Sequence, residues 1–451
     1  MRPAVEAEKV GIPAVVVTTT GFTTIAKAVA KAEGMTDLRI AEYPGAVGVH
    51  PEDLVVNNVT NVLFNRIVEA LTKPVDREAV QSSRSARLAS EIVCEGSFEE
   101  VNEYFRTREW TDELPIVPPT IERVEAFLKH TDRSHAETVA VLPQANLGAV
   151  PWNIAANAVM AGCRPDCMPL LIAAVEAIAD HGYNLNNIGT TWGVLPFLLI
   201  NGPAIEKMGI ESGGQLISRG ANPAIGRALG LIIKNIAGYK LGRNYMGTFG
   251  YPLSFTLAEN EKECPWDPYH VEHGFAKDDS TVTAGATVTW GWPPAIYGTP
   301  DKTAAQSALE MLSVEITKKP CLARLAERGP QGFRNMITIL LAPPIAKSLA
   351  AAGYTKQKIR EYLYENARVP FRELEFLLKY GHSEAFTIPD AVRVGVYPEE
   401  YLVKADELVR VVPSPETINI VVCGDPHRNR AMVLWGGYVN PVTKKMELRS
   451  H

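Results

Sequence analysis

The chain has 451 residues, 46% of them hydrophobic and 21% charged, which at roughly 100–200 residues per domain gives about two or three domains with material for buried cores. Lys plus Arg number 45 and Asp plus Glu 51, for a formal charge of −6. That balance supplies no electrostatic reason to bind nucleic acid or an anionic membrane.

The first residues, MRPAVEAEKVGIP, lack the charged-then-apolar layout of a signal peptide, and Val5–Gly11 reads as the tail of a helix. Ile12–Thr18 is a short β-branched run, read as a buried strand. Gly21 punctuates it, Phe22–Ala32 has helical spacing, and Leu38–Tyr43 is a second strand ending at Pro44-Gly45. Pro51 then opens an amphipathic helix with Leu54, Val55, Val59, Val62, Leu63, Ile67 and Leu71 on its apolar face. This β-α-β-α order over 1–72 is a truncated doubly wound (Rossmann- or flavodoxin-like) domain that lacks its usual first βα unit. A separate subunit supplying that unit would cover an otherwise exposed parallel edge. The alternatives are a small domain with an unusual edge, or a start displaced from the native one.

Residues 73–96 are polar, small and charge-mixed, and read as a linker. A larger mixed α/β domain is expected over 97–330, with a C-terminal α/β subdomain packed on it over 331–451. In the former, Pro118-Pro119-Thr120 caps a helix at Ile121–Lys129. Further helices are expected at Asn153–Gly162, Pro169–Ala179, Pro223–Ala237 and 301–318. Strands are expected at Val139–Leu142, Leu195–Ile200, Pro252–Ala258 and Thr281–Trp290. In the latter, strands at Met336–Leu341, Ile418–Cys423 and Ala431–Leu434 alternate with helices near 344–351, 355–367 and 370–379. No apolar stretch reaches the about 18–20 residues a membrane-spanning helix needs. Six cysteines in this length read as reduced thiols of a cytoplasmic protein rather than a disulfide scaffold.

The densest group of ionisable residues is Leu257–Phe275, LAENEKECPWDPYHVEHGF. Glu259 and Glu261 alternate at the end of a strand, which puts two carboxylates on one face. His270 and Glu272 can turn back toward them. Carboxylates with an imidazole suit a divalent Zn, Fe or Mn, with Glu261, His270 and Glu272 as ligands, and equally suit a general acid/base pair. The spacing matches no standard zinc signature. Cys163 and Cys167 lie in MAGCRPDCMP; Gly162 can end the preceding helix, and Arg164 would favour a Cys163 thiolate. Tyr183–Trp192, YNLNNIGTTW, offers Asn186 and Thr190 as substrate-orienting groups beside a strand. The Gly-rich loop Glu211–Gly226 runs into a long helix with Asn222 as cap, where Arg219 and free amides would hold a small anion. It fits neither dinucleotide nor Walker spacing, so no nucleotide cofactor is expected. Asp425–Arg430, after a strand, reads as a charged surface turn.

At these residues the sequence resembles the UGSC-motif (seleno)protein family, named for a selenocysteine- or cysteine-Gly-Ser-Cys motif. The likeness lies in VEAEKVGIPAVVVTTTGFTTIAKAVAKAEG at the N-terminus and, for a companion domain, in WTDELPIVPPT, ANAVMAGCR, LINGP, NPAIGRAL and AENEKECPWDPYHVEHGF. It implies chemistry of the glycine-reductase type, in which a selenol or thiol helps cleave a carbon–heteroatom bond. The motif itself is absent, and Thr18-Thr19-Thr20 follows the strand without a cysteine.

The leading expectation is a lyase or hydratase on a small carboxylate-bearing substrate, with Glu259, Glu261, His270 and Cys163 catalytic. Asn186, Thr190, Arg219 and Asn222 would bind the substrate. Alternatives are thiol- or selenol-assisted C–N or C–S cleavage or reduction, an oxidoreductase chemistry with a partner subunit supplying the thiol, and a non-catalytic subunit of a complex. A homo- or hetero-oligomer is expected.

Overall fold

β-Branched runs of five to nine residues set the strands, and the apolar helices between them decide which faces are covered. The computed structural model describes residues 2–32, 35–47, 50–73, 90–251, 254–319, 336–381, 387–393, 399–436 and 439–448. Most of the linker expected over 73–96, and Cys321, lie outside them.

The N-terminal unit runs α1 (Arg2–Lys9), β1 (Val15–Thr19), α2 (Thr23–Ala32), β2 (Arg39–Tyr43), α3 (Glu52–Asn58) and α4 (Phe64–Thr72), the last two joined by one π-helical turn over Val59–Leu63. β1 and β2 pair in parallel from Val15 opposite Arg39 to Thr19 opposite Tyr43. Alternation along the strands feeds two small cores. Val16 packs with Val5, Ala30 and Leu38 on one face, and Ala41 and Tyr43 pack with Leu63 on the other. This is the expected β-α-β-α order. Among the described residues the sheet has these two strands only.

The larger part begins with α5 (Phe98–Thr107), α6 (Ile121–Leu128), a hairpin of β3 (Ala140–Leu142) and β4 (Leu147–Ala149), α7 (Pro151–Ala161) and α8 (Met168–Ala179). Then come β5 (Leu195–Asn201), α9 (Ala204–Lys207), α10 (Asn222–Asn235), β6 (Phe255–Ala258), α11 (Tyr269–Glu272), β7 (Thr281–Thr289) and α12 (Ala304–Thr317). The C-terminal stretch adds β8 (Ile337–Leu341), α13 (Pro343–Ala351), α14 (Lys356–Asn366), β9 (Arg368–Pro370), α15 (Phe371–Phe376) and α16 (Ile388–Arg393). It closes with β10 (Leu408–Arg410), β11 (Ile418–Val422), β12 (Ala431–Gly436) and β13 (Val442–Lys445).

One seven-stranded sheet organises this part, in the order β11-β8-β12-β7-β5-β6, with β13 also on β7. β5 with β6 and β11 with β8 are parallel; the other pairs are antiparallel. Strands from both sides of residue 330 therefore share a single sheet. β13 takes up the pairing along β7 at Val442 opposite Ala284, where β12 leaves off at Gly436 opposite Thr287. The sheet curls until its outer members meet: the N–H of Asn260, just past β6, donates to the carbonyl of Val422 in β11 at 2.7 Å.

Burial follows from that curl. Every residue of β5, β6, β8 and β11 is buried, as expected for strands covered on both faces. Leu195, Phe197 and Leu199 of β5, Leu257 of β6, Leu340 of β8 and Val421 of β11 share a small inner core. Their alternates, Leu198, Ile200, Ile339 and Ile420, join the large outer core under the helices. Gly285 of β7 lies opposite Phe197, and a Cβ there would come within 2.6 Å of the Phe197 ring. The ring takes that space.

Candidate active site

The C-terminal ends of β5 and β6 lie side by side, because the two strands run parallel with Ile200 opposite Ala258. Asn201 ends β5, and Glu259 follows β6. Both are fully buried, as are His270 of α11 and, at 3% exposure, Lys356, the first residue of α14. Four polar side chains withdrawn from water must satisfy one another.

Asn201 links the two carboxylates expected to act together. Its amide Nδ2 donates to Glu259 Oε2 at 2.7 Å and to Glu261 Oε1 at 3.0 Å. Glu261 Oε1 also accepts the Gly202 N–H at 2.7 Å. Glu259 accepts the Tyr269 N–H at 2.6 Å and lies 3.6 Å from Lys356 Nζ. Lys356 in turn donates to Glu272 Oε2 and to the carbonyl of Asp267, each at 2.8 Å. Arg360, one turn along α14, donates to the other oxygen of Glu272 at 3.1 Å. Burial works against the Lys356 ammonium, yet Glu259 and Glu272 outweigh it and hold its pKa above the ordinary lysine value.

His270 is the member with an open valence. Its Nε2 faces the carbonyl of Lys277 at 3.3 Å. Its Nδ1 is buried, has no hydrogen-bond partner, and sits 3.7 Å from Glu261 Oε1. A carbonyl accepts only, so Nε2 carries the proton toward Lys277, and the lone pair of Nδ1 faces the carboxylate. Glu261 is 22% exposed; it joins the buried network to the surface. The Oδ1 atom of Asn201 is also buried without a partner.

Glu261 and His270 thus come together as expected, and Glu259 joins them through Asn201. Glu272 turns the other way. Both its oxygens are taken by the cations Lys356 and Arg360, which compete with a metal for them. Among the described residues no group of three or more His, Cys, Asp or Glu side chains is disposed to hold a metal ion. The residues present do not fit the expected divalent site.

Cys163 stands apart. Its electrostatic neighbours are Cys167, Arg227 and Asp166, none of them in the Glu259 network. Burial drives its thiol well above the usual range, while Arg164 is ion-paired with Asp166. The expected thiolate is therefore disfavoured. Cys264 lies 3.9 Å from Glu259 Oε1, and its thiol is pushed up to about 12 by burial and by that carboxylate. The described cysteines, Cys94, Cys163, Cys167, Cys264 and Cys423, are free thiols.

Asn186 and Thr190 precede the first residue of β5, whereas Asn201 is its last. Asn186 accepts from Gln144 at 3.4 Å, and Thr190 Oγ1 accepts the Trp192 N–H at 3.4 Å. The structure does not bring them to the carboxylates. Asn222 is fully buried, and it is not a cap: α10 starts at Asn222 itself, with Ala221 in the cap position. Its amide clasps the backbone of Glu211, accepting the N–H at 2.8 Å and donating to the carbonyl at 2.9 Å. Arg219 is 61% exposed and lies 3.7 Å from Glu211. The Gly-rich loop is tied to the turn after β11 by the Gly424 N–H, which donates to the Ser212 carbonyl at 2.8 Å.

Sequence reasoning missed Asn201, Lys356 and Arg360. Asn201 carried a usable signal, a polar residue closing an apolar strand just before Gly202-Pro203. Lys356 carried none; a lysine at the start of a helix reads as solvent-facing.

A model of the UGSC family matches residues 1–73. Over this stretch, less than a fifth of the chain, the sequence is similar to that family. The UGSC segment comprises the α1–α4 unit and ends well before the carboxylate network. No curated protein and no solved structure matches the chain. No helix among the described residues is long and apolar enough to cross a membrane.

Proposed function

We propose that this is a cytoplasmic enzyme of small-molecule metabolism, a lyase or hydratase, in which Glu261 and His270 move a proton to and from a small carboxylate-bearing substrate. The observation that carries the reading is the buried Nδ1 of His270, without a hydrogen-bond partner and 3.7 Å from the Glu261 carboxylate, which is 22% exposed. A buried histidine held in one tautomer beside a partly exposed carboxylate suits proton transfer, which general acid–base catalysis requires.

Glu261, as carboxylate, takes the proton next to the substrate's carboxyl group, and His270 Nδ1 receives it. Loss of the neighbouring hydroxyl uses the same proton, so that water leaves and a double bond forms. Asn201 and the Gly202 N–H hold Glu261 in place from behind. Glu259, paired with Lys356, keeps Asn201 oriented. Arg219, 61% exposed, would hold the substrate's anionic group in competition with Glu211, 3.7 Å away.

The test is turnover of a panel of small hydroxycarboxylates, followed by the ultraviolet absorbance of the unsaturated product. Glu261→Gln and His270→Asn should each lower kcat by about 10²–10⁴-fold with an unchanged circular-dichroism spectrum. Turnover retained in both variants would end the proposal.

A further inference from the structure

We infer that the Glu261–His270 site binds a protonated primary amine, held by Asn201, Thr281 and His270. The inference rests on the reading of this site as the place where the substrate binds, and adds a charged group that the substrate carries. It starts from Thr281, the first residue of β7, which is fully buried and whose Oγ1 has no hydrogen-bond partner among the described residues. Thr281 takes no part in the proton transfer.

Strand register brings Thr281 to the site. It lies directly opposite Asn201, the last residue of β5, and directly opposed residues of an antiparallel pair have their Cβ atoms about 4.5–5.5 Å apart on one face. The adjoining pair, Ile200 and Val282, belongs to the outer core, so Asn201 and Thr281 both face inward. β5 has β6 on one side and β7 on the other. The amide nitrogen of Asn201 is turned toward Glu259 and Glu261, which follow β6. Its Oδ1 is therefore turned away from them, to the Thr281 side, and is buried without a partner. His270 reaches the same stretch of chain, since its Nε2 faces the carbonyl of Lys277, four residues before Thr281. Three orphaned atoms, Asn201 Oδ1, Thr281 Oγ1 and His270 Nδ1, thus come from residues around the Glu261 carboxylate.

The chemistry of these atoms selects the ligand. Asn201 Oδ1 only accepts, as does Nδ1 of a His270 protonated at Nε2, and a threonine hydroxyl can accept as well as donate. Each atom left unpaired away from water costs free energy, so the fitting group offers several donors at one point. Charge narrows the choice. Glu259, Glu261 and Glu272 face Lys356 and Arg360, one negative charge in excess, and among the described residues no lysine or arginine pairs with Glu261. A primary ammonium supplies three N–H donors and one positive charge. An alkali-metal ion supplies the charge alone, and as a hard cation it prefers oxygen to an imidazole nitrogen. A carboxylate-bearing substrate that also carries a primary ammonium is an amino acid.

Thermal unfolding of the full chain in methylammonium chloride tests this, against tetramethylammonium chloride and potassium chloride at equal ionic strength. The expected result is a saturable rise in Tm with methylammonium alone, because tetramethylammonium has the charge but no N–H to donate. Thr281→Val should fold as stably as the wild type, since it removes an orphaned hydroxyl. It should nonetheless weaken methylammonium binding about tenfold or more, the loss of one hydrogen bond to a charged donor, and Thr281→Ser should retain it. No response to methylammonium, or one matched by potassium or tetramethylammonium, would overturn the inference. So would a Thr281→Val variant that binds methylammonium as the wild type does. No turnover is read, so failure of the proton-transfer reading and failure of this inference show up separately.

Discussion

The Glu259 carboxylate acts electrostatically on the thiols around it. It lies beside two thiols, Cys264 and Cys423, and both are pushed up to about 12, chiefly by burial and then by this one negative charge. Removing the charge while keeping the shape should lower both values. Glu259→Gln is therefore expected to speed alkylation of Cys264, the half-buried member of the pair, by iodoacetamide at mildly alkaline pH. Mass spectrometry of the labelled peptide gives the rate, and an unchanged rate would show that burial alone sets the thiol. Cys163 answers to different neighbours and should not respond. The same residues mark how far the sequence could be read. The period of two in Glu259 and Glu261 announced a shared face, and the shared partner, Asn201, is found there. Glu272 carried the same local signal and yet faces away, because its partners, Lys356 and Arg360, lie more than 80 positions along the chain.

Secondary-structure elements were the more legible level. Strands with continuous apolar runs, Leu195–Asn201, Ile337–Leu341 and Ile418–Val422, fall within a residue or two of where those runs put them. Gly162 ends α7 in the left-handed conformation, as a helix-terminating glycine should. The short strands β9, β10 and β13 were invisible; Val442–Lys445 has a polar alternation that only its place on β7 makes a strand. The junction after β5 shows how tightly an element end can be specified. Gly202 has φ +82°, and a Cβ on it would stand 2.1 Å from the carbonyl oxygen of Asp279. Its N–H also holds Glu261. Gly202→Ala should then cost about 2–4 kcal/mol, from a strained backbone together with a forced separation from the Asp279 loop. Urea unfolding would measure it, and a loss below about 0.5 kcal/mol, the range of an ordinary surface substitution, would mean that the turn relaxes freely.

At the scale of the whole molecule, Lys356 joins segments that composition alone separates. It stands on α14, beyond residue 330, and binds Glu272 and the Asp267 carbonyl before it. Breaking a buried pair by removing one partner leaves the other charge unpaired, at about 3–5 kcal/mol. Lys356→Met should lose that much at neutral pH. Because the pKa of Lys356 is raised on folding, its contribution is complete below the unfolded value of about 10.4. It disappears as pH rises through the higher folded value. The wild type should lose stability over that alkaline window, and Lys356→Met should lose less there; equal losses in the two proteins would remove Lys356 from the account. Pairing across the sheet has a further consequence, for synthesis. β7 is made in the middle of the chain, but one of its edges is filled only by β12 and β13, about 150 residues later. At about 5–20 residues per second, a ribosome leaves that edge unpaired for roughly ten seconds or more. During this interval the nascent chain presents an unpaired nine-residue strand rich in threonine, valine and alanine, the kind of edge that invites pairing with other chains.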